Sequence, residues 1–203
     1  MLEEGSQFTN SNNLSTTPAH NFNKLFSRIE KYENISDSME LEIANYLNKV
    51  SEGRLSSESK LEIRGMLREV TEIESIGDSC YNLARTINRK RSGGNDFTEK
   101  QYEHIHQMMQ LTSDALAQMI AVVEDEHHVV DVNKSFNIEN EINNYRAQLK
   151  NQNVLDVNNK EYDYQMGVHY MDIIGECEKL GDYVVNVVEA RTNVKEKKTN
   201  ENR

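Results

Sequence analysis

Cysteine is scarce in this chain of 203 residues, which contains only Cys80 and Cys177. Two cysteines without CxxC or Cys/His spacing form neither a disulfide framework nor a soft zinc site, and they favour a reducing compartment. We expect both to be small side chains that are buried or half-buried. Tryptophan is absent as well, and apolar residues make up only 36% of the chain.

Long hydrophobic runs are also missing. No window approaches the ~20 consecutive apolar residues that a membrane-spanning helix needs. The first residues, "MLEEGS", lack the basic and apolar regions of a signal sequence. We therefore expect a soluble chain in the cytoplasm, either complete or as the soluble part of a larger protein.

Basic residues are outnumbered, with 23 Lys and Arg against 34 Asp and Glu and a formal charge of -11. Such a balance argues against a nucleic-acid backbone or an anionic bilayer as the main partner. Cations or basic proteins fit this charge better.

Apolar residues recur at three- and four-residue spacing in five stretches, which predicts amphipathic helices. The predicted helices cover about 22–52, a stretch opened by "LSSESKLE" and running to about 91, about 98–126, about 131–151 and about 159–195. No stretch shows clean strand alternation, so the predicted class is all-α. Polar tails are predicted at 1–21 and 196–203, on either side of a helical domain at 22–195.

Capping signals support two of the helix starts. Ser59 and Glu62 have the spacing of a capping box, and so do Thr98 and Gln101. The intervening "SGGND" at 92–96 favours turn geometry and separates a first half, about 22–97, from a second half, about 98–195.

An internal repeat relates the two halves. "IESIGDSCYN" at 73–82 resembles "CEKLGDYVVN" at 177–186, and Glu178 follows Glu74 by 104 residues. At this offset Gly77 superposes on Gly181, and the earlier helices agree at an offset of 106. A glycine inside a helix costs about 1 kcal/mol relative to alanine, so these two equivalent glycines predict close contact between helices.

Four pairs of oxygen-bearing side chains follow this repeat, each with its members four residues apart on one helix face. Two pairs lie in each half: Glu33/Asp37 with Glu74/Asp78, and Glu139/Asn143 with Glu178/Asp182. If neighbouring helices bring two pairs together, the like charges raise a pKa or attract a cation. Oxygen ligands suit hard cations such as Mg²⁺, Ca²⁺, Mn²⁺ or iron. We therefore predict one metal-binding patch per half, and assign four repeated neighbours as candidate outer-sphere residues: Asn82, Asn186, Glu72 and Glu176.

These motifs resemble those of the PhoU family. "EIESIGD" and "ECEKLGD", each followed by an asparagine, are similar to its twin "ERIGD"-type signatures, and "ENISD" and "ENEIN" are similar to its companion E/D-xxx-D/N motifs. The sequence near the C-terminus, with "YMDII" at 170–174 and "CEKLGDYVVNVVEA" at 177–190, is similar to the soluble domain that follows the membrane part of sodium/phosphate cotransporters. The resemblance covers about 22–195.

The resemblance implies two pseudo-repeated three-helix bundles, metal clusters on the acidic motifs, and a regulatory, non-enzymatic role in phosphate uptake at the cytoplasmic face of the membrane. The expected partners are a membrane transporter portion of the same or another chain, with inorganic phosphate and a second copy as further candidates. Only five helices are predicted, so the first helix of the first half is missing or truncated. Asn143, a neutral ligand, sets the second half apart.

Two alternatives remain open, and a third is disfavoured by its geometry. A free-standing PhoU-type regulator differs only in lacking a fused membrane domain. A helical adaptor without metal has the same fold. A ferritin-like di-metal protein would use Glu103 with His106 and Glu124 with His127, but both motifs fall on one helix, roughly 30 Å apart at 1.5 Å per residue, and cannot share a centre.

Overall fold

Five α-helices make up the fold in the computed structural model, which describes residues 19–93, 96–125 and 129–201. In chain order they are α1 (Ala19–Ser51), α2 (Ser57–Arg91), α3 (Glu99–Glu124), α4 (Asn133–Asn158) and α5 (Tyr164–Glu201). No strand occurs in these ranges, which confirms the all-α class. None of the described helices is long and apolar enough to cross a membrane.

The helices are arranged around a central pair, α2 and α5, which make the most extensive contact in the fold. In the first half α1 packs on α2, whereas in the second half both α3 and α4 pack on α5 and on each other. The first half thus contributes two helices and the second half three, as the sequence predicted. One continuous apolar core joins the halves, and α5 contributes many of its most deeply buried side chains: Ile173, Ile174, Leu180, Val184, Val187 and Val188.

One of the two predicted capping boxes is present in the structure, and the other is not. Thr98 forms the predicted capping box with Gln101 at the start of α3. At the start of α2, however, the capping side chain is Ser56, whose hydroxyl accepts a hydrogen bond from the Ser59 backbone N–H at 3.0 Å. The predicted box of Ser59 and Glu62 is therefore wrong by one turn, since three serines in this stretch offer equivalent caps.

The last two helices differ from the predicted boundaries. The fourth helix continues to Asn158, and Lys160 then takes a positive φ of 61°, which ends it and starts the turn into α5. Asp163 begins α5 by accepting a hydrogen bond from the Met166 backbone N–H at 2.8 Å. At the other end the α5 backbone stays helical to Glu201, through most of the predicted tail at 196–203, because the Lys and Glu residues there are good helix formers. The predicted tail at 1–21 lies outside the described residues except for 19–21, which are helical.

Candidate functional site

The first helix pair approaches most closely at Gly77. A Cβ atom built there would lie 3.3 Å from the Ser36 Oγ of α1. Only a residue without a side chain allows this contact without displacement, which confirms the predicted close approach at this glycine. Ser36 immediately precedes Asp37 and Gly77 precedes Asp78, so the contact fixes the two acidic motifs at the same level of the helix pair.

The four carboxylates of this first cluster interact across the two helices. Burial and the charges of Asp37, Asp78 and Glu30 raise the pKa of Glu33. Burial also raises the pKa of Glu74, with further contributions from Asp37, Asp78 and Glu40 that outweigh a hydrogen bond from Ser75. Asp78 of α2 thus acts on Glu33 of α1, and Asp37 of α1 acts on Glu74 of α2. The two predicted pairs therefore lie close enough across α1 and α2 to interact electrostatically.

Every charged neighbour that shifts these two pKa values is an acid. A cluster of this kind is unfavourable while all its members are ionised, and it is relieved by protonation or by a cation. Its oxygen donors are of the type that hard divalent cations prefer.

The second cluster is built on an equivalent contact. A Cβ atom at Gly181 would lie 3.1 Å from Ile142 Cδ1, so α4 and α5 also approach closely at the repeated glycine. Ile142 is fully buried and precedes Asn143, and Asp182 follows Gly181. The predicted close approach is therefore confirmed in both halves.

Unlike the first cluster, the second contains an arginine. The Nε atom of Arg146 on α4 lies 3.4 Å from Glu178 Oε2 on α5. Burial raises the pKa of both Glu178 and Asp182, while the Arg146 guanidinium opposes the rise in each case. Asp182 and Glu139 raise the pKa of Glu178 further. The second cluster thus already holds one positive charge.

Asn143 differs from an acidic residue in this position in two ways. Its amide nitrogen donates a hydrogen bond to Glu139 Oε1, four residues earlier on α4. Its amide oxygen Oδ1 is buried and has no hydrogen-bond partner. A buried acceptor without a donor is costly, so this oxygen is available to a cation or a water molecule.

The four candidate outer-sphere residues make three different contacts. Asn82 donates a hydrogen bond to Asp78 Oδ2 at 3.4 Å and thus supports the first cluster. Asn186 donates instead to Glu72 Oε2 at 3.0 Å, which ties α5 to α2 across the two halves. Glu176 pairs with Lys179 at 2.9 Å through one oxygen, and its other oxygen is buried without a partner.

Two features of the site were missed in the sequence. Arg146 lies three residues after Asn143 on α4, and this spacing alone places it on the same helix face as the fourth motif. The bond between Glu72 and Asn186 joins different repeats, and the alignment of the two halves gave no signal for it.

Within the described ranges, no group of three or more His, Cys, Asp or Glu side chains is arranged as a ready-made metal site. The cysteines do not contribute, because both are buried free thiols whose pKa burial raises to about 12. Cation binding at either cluster would therefore require rotation of carboxylate side chains. For the ferritin-like alternative, Glu103 and Glu124 both lie on the single helix α3, and His127 falls outside the described residues.

Comparison with known proteins places this architecture among PhoU-like helical proteins. The PhoU domain matches residues 105–190 of the sequence. The crystal structure of the phosphate transport system regulatory protein PhoU from Streptococcus pneumoniae superposes with a TM-score of 0.70, covering 96% of this chain and 89% of that chain at 17% sequence identity. No curated protein sequence matches the chain. The chain therefore has a PhoU-like fold.

Proposed function

We propose that this chain is a regulatory domain that controls phosphate uptake and responds to hard cations bound at its α1–α2 cluster. The observation that carries the proposal is the convergence, on a PhoU-like fold, of two acidic pairs from different helices: Glu33/Asp37 and Glu74/Asp78. The matched solved structure is that of a phosphate transport system regulatory protein. The role is regulatory rather than catalytic.

A bound Mg²⁺, Mn²⁺, Ca²⁺ or iron ion would neutralise a surface that otherwise repels anions. The chain carries a formal charge of -11, so neither inorganic phosphate nor an acidic partner would approach the bare cluster readily. With the cluster neutralised, α1 and α2 can hold phosphate or contact the transporter.

The second cluster, Glu139/Asn143 with Glu178/Asp182, is proposed to bind a cation more weakly. Arg146 supplies part of the neutralising charge there, and Asn143 contributes no charge of its own. The unpartnered Asn143 Oδ1 keeps one donor available. The two halves thus carry their oxygen-bearing side chains at equivalent positions, but the second cluster needs less added positive charge to be neutralised.

We place the domain at the cytoplasmic face of the membrane, as part of a sodium/phosphate symporter. The support is the similarity of its C-terminal motif to the soluble domain of such cotransporters. A free-standing regulator of the PhoU type is the second candidate, favoured by the fact that the chain covers 89% of the solved regulator.

Metal binding is tested with protein purified without chelator. Metal content and calorimetric titration with Mn²⁺ or Mg²⁺ are compared between the wild type and Glu74→Gln/Asp78→Asn. We expect the variant to lose the tighter site. The matched control is Glu99→Gln/Glu103→Gln, which removes the same charge from an exposed acidic pair of the same spacing on α3. Equal metal binding in the wild type and both variants would end the cation hypothesis.

Regulation is tested by phosphate uptake in cells that express the full-length protein, the form lacking 22–195, or Glu74→Gln/Asp78→Asn. We expect deletion to change the uptake rate and the double variant to resemble the deletion. Unchanged phosphate flux on deletion would contradict a role in uptake, whatever the result of the metal titration.

A further inference from the structure

Each of the two glycine-containing signatures is followed by an asparagine, whose side-chain amide has two kinds of acceptor. Four residues earlier on the same helix lies the aspartate of its own cluster, Asp78 for Asn82 and Asp182 for Asn186. The other acceptor is a glutamate of the opposite half, as the hydrogen bond from Asn186 to Glu72 shows. The two asparagines differ in the acceptor that they use.

The contact between α2 and α5 is antiparallel. Arg68 of α2 pairs with Glu189 of α5 at 3.0 Å. Further along α2, Glu72 accepts its hydrogen bond from Asn186, which comes earlier on α5. A residue that lies later on α2 therefore faces one that lies earlier on α5.

Asn82 and Glu176 are the repeat counterparts of the bonded pair Asn186 and Glu72. At the offset of 104, Asn82 corresponds to Asn186 and Glu72 corresponds to Glu176. Asn82 lies ten residues after Glu72 on α2, and Glu176 lies ten residues before Asn186 on α5, so the two are level across the antiparallel contact. The repeat therefore predicts an equivalent hydrogen bond from Asn82 to Glu176.

Among the described residues, Asn82 does not make this second cross-link. It donates instead to Asp78 Oδ2, over a long distance of 3.4 Å. In the part of the chain that the structure describes, Glu176 Oε2 is buried and makes no hydrogen bond, while Oε1 accepts one from Lys179 at 2.9 Å. A buried carboxylate oxygen without a donor is costly. The same repeat position thus has two arrangements, one in each half.

The charge of the adjoining cluster distinguishes the two arrangements. Arg146 lies 3.4 Å from Glu178 in the second cluster and opposes the rise that burial causes in the pKa of Asp182. At the offset of 106, the counterpart of Arg146 is Glu40, whose charge adds to burial in raising the pKa of Glu74. A carboxylate whose charge is already compensated is a weaker acceptor for an amide. The asparagine therefore donates to its own aspartate where the cluster is acidic, and to the opposite half where an arginine compensates it.

We propose that Asn82 is a switch, whose amide leaves Asp78 for Glu176 when a cation neutralises the first cluster. A bound cation occupies the carboxylate oxygens of Asp78 and repels the positively polarised hydrogens of the amide. Rotation of the Asn82 side chain then brings these hydrogens to the buried Glu176 Oε2. The α2–α5 contact gains a hydrogen bond that matches the one from Asn186 to Glu72. The cation step rests on the function proposed above, whereas the effect of cluster charge on the acceptor is independent of it.

Calorimetric titration with Mn²⁺ tests the cation step on the wild type, Asn82→Ala, Glu176→Met and the double variant. We expect Glu176→Met to weaken binding about tenfold when Asn82 is present, because the bound form loses a hydrogen bond to a buried carboxylate. In the Asn82→Ala background the same change should have no effect. The control Lys179→Met removes the ion pair of Glu176 but keeps its acceptor oxygens, and it should bind Mn²⁺ as the wild type does.

Circular dichroism confirms that each variant folds. An equal effect of Glu176→Met with and without Asn82 would overturn the cation step. A large loss of affinity from Asn82→Ala alone would also overturn it, because Asn82 would then be a ligand of the ion. If the wild type binds no Mn²⁺, the cation step and the function proposed above fail together.

A second cycle tests the effect of cluster charge without any added cation. Urea unfolding in the presence of chelator measures the coupling between Asn186→Ala and Glu72→Met, first in the wild type and then with Arg146→Gln. We expect the favourable coupling of the wild type to be lost in Arg146→Gln, because Asn186 turns to the uncompensated Asp182. The control Lys150→Gln removes an exposed base one turn further along α4 and should retain the coupling. Coupling that persists in Arg146→Gln would overturn the switch even if Mn²⁺ binds, so the two failures are distinguishable.

Discussion

Replacing Glu74 by glutamine tests whether the α1–α2 carboxylates repel one another. Glu74 is half-buried, and its pKa is raised by burial and by Asp37, Asp78 and Glu40. A like-charged pair four residues apart on a helix costs about 0.2–0.5 kcal/mol. Three acidic neighbours, reduced by solvent screening, then cost about 0.5–1 kcal/mol in total. We expect Glu74→Gln to raise the free energy of unfolding by this amount at pH 7 without divalent cations.

The corresponding change in melting temperature is about 1–4 °C for a chain of this size. The assay is thermal unfolding followed by circular dichroism at low ionic strength, with chelator and then with Mg²⁺ or Mn²⁺. Cations should stabilise the wild type more than the variant, because the variant has lost a ligand and a charge. The control Glu141→Gln removes an exposed acid of α4 that has no acidic residue three or four positions away, and it should have little effect.

The pH dependence has a defined sign. The pKa of Glu74 is higher in the folded chain than its ordinary value of 4.5, so the folded state holds this proton more tightly. The stability of the wild type therefore falls as pH rises through the folded pKa, and the advantage of Glu74→Gln appears over the same range. Near pH 4 the difference should largely disappear. A variant no more stable than the wild type at pH 7, or an advantage independent of pH, would refute the repulsion argument.

Three further predictions concern other parts of the fold. Arg146→Gln should make the melting temperature of the chain rise more on addition of Mn²⁺ than that of the wild type does, because the second cluster has lost its positive charge. An equal response to Mn²⁺ in both proteins would show that Arg146 does not take a cation's place. Gly175→Ala should stabilise the chain by about 1 kcal/mol, because the new methyl group meets nothing within 4 Å, whereas Gly167→Ala should not, because its Cβ would lie 2.9 Å from a methyl carbon of α4. Equal denaturant midpoints for these two variants would contradict the packing. Asp96→Asn should destabilise the chain by about 1–2 kcal/mol at pH 7, because it leaves the buried Lys90 without its counter-ion, while solvent screens the pair in part at Asp96, which is 52% exposed. Burial alone would raise the pKa of Asp96, but the hydrogen bonds from Lys90 and a neighbouring tyrosine lower it, so this contribution should be lost only as pH falls below the ordinary value of 3.8. Urea unfolding at pH 7 and at acid pH measures both, and wild-type stability in the variant would be the contrary result.

The sequence predicted the helices because their apolar periodicity extends over many turns. It also predicted the contacts at Gly77 and Gly181, since a glycine is costly within a helix unless another helix needs the space. The ends of the helices were less predictable. Lys160 reverses the chain in a backbone conformation that favours glycine, and its side chain gives no local sign of this.

The sequence predicted where the acidic pairs lie on each helix, but not which charges of other helices surround them. Spacing along a helix places Glu178 and Asp182 on one face, but it does not show which residue of another helix lies against them. Arg146 reaches Glu178 only because α4 packs on α5 at Gly181. The difference between the two clusters is therefore a result of tertiary packing.

The hydrogen bond between Asn186 and Glu72 has a consequence for communication between the halves. It joins α2, which carries part of the first cluster, to α5, which carries part of the second, within the most extensive helix contact of the fold. A displacement of α2 at one end of this contact strains a bond that ends on α5. This bond links the duplicated halves, and we therefore predict that a cation bound at one cluster would also affect the helix that carries the other.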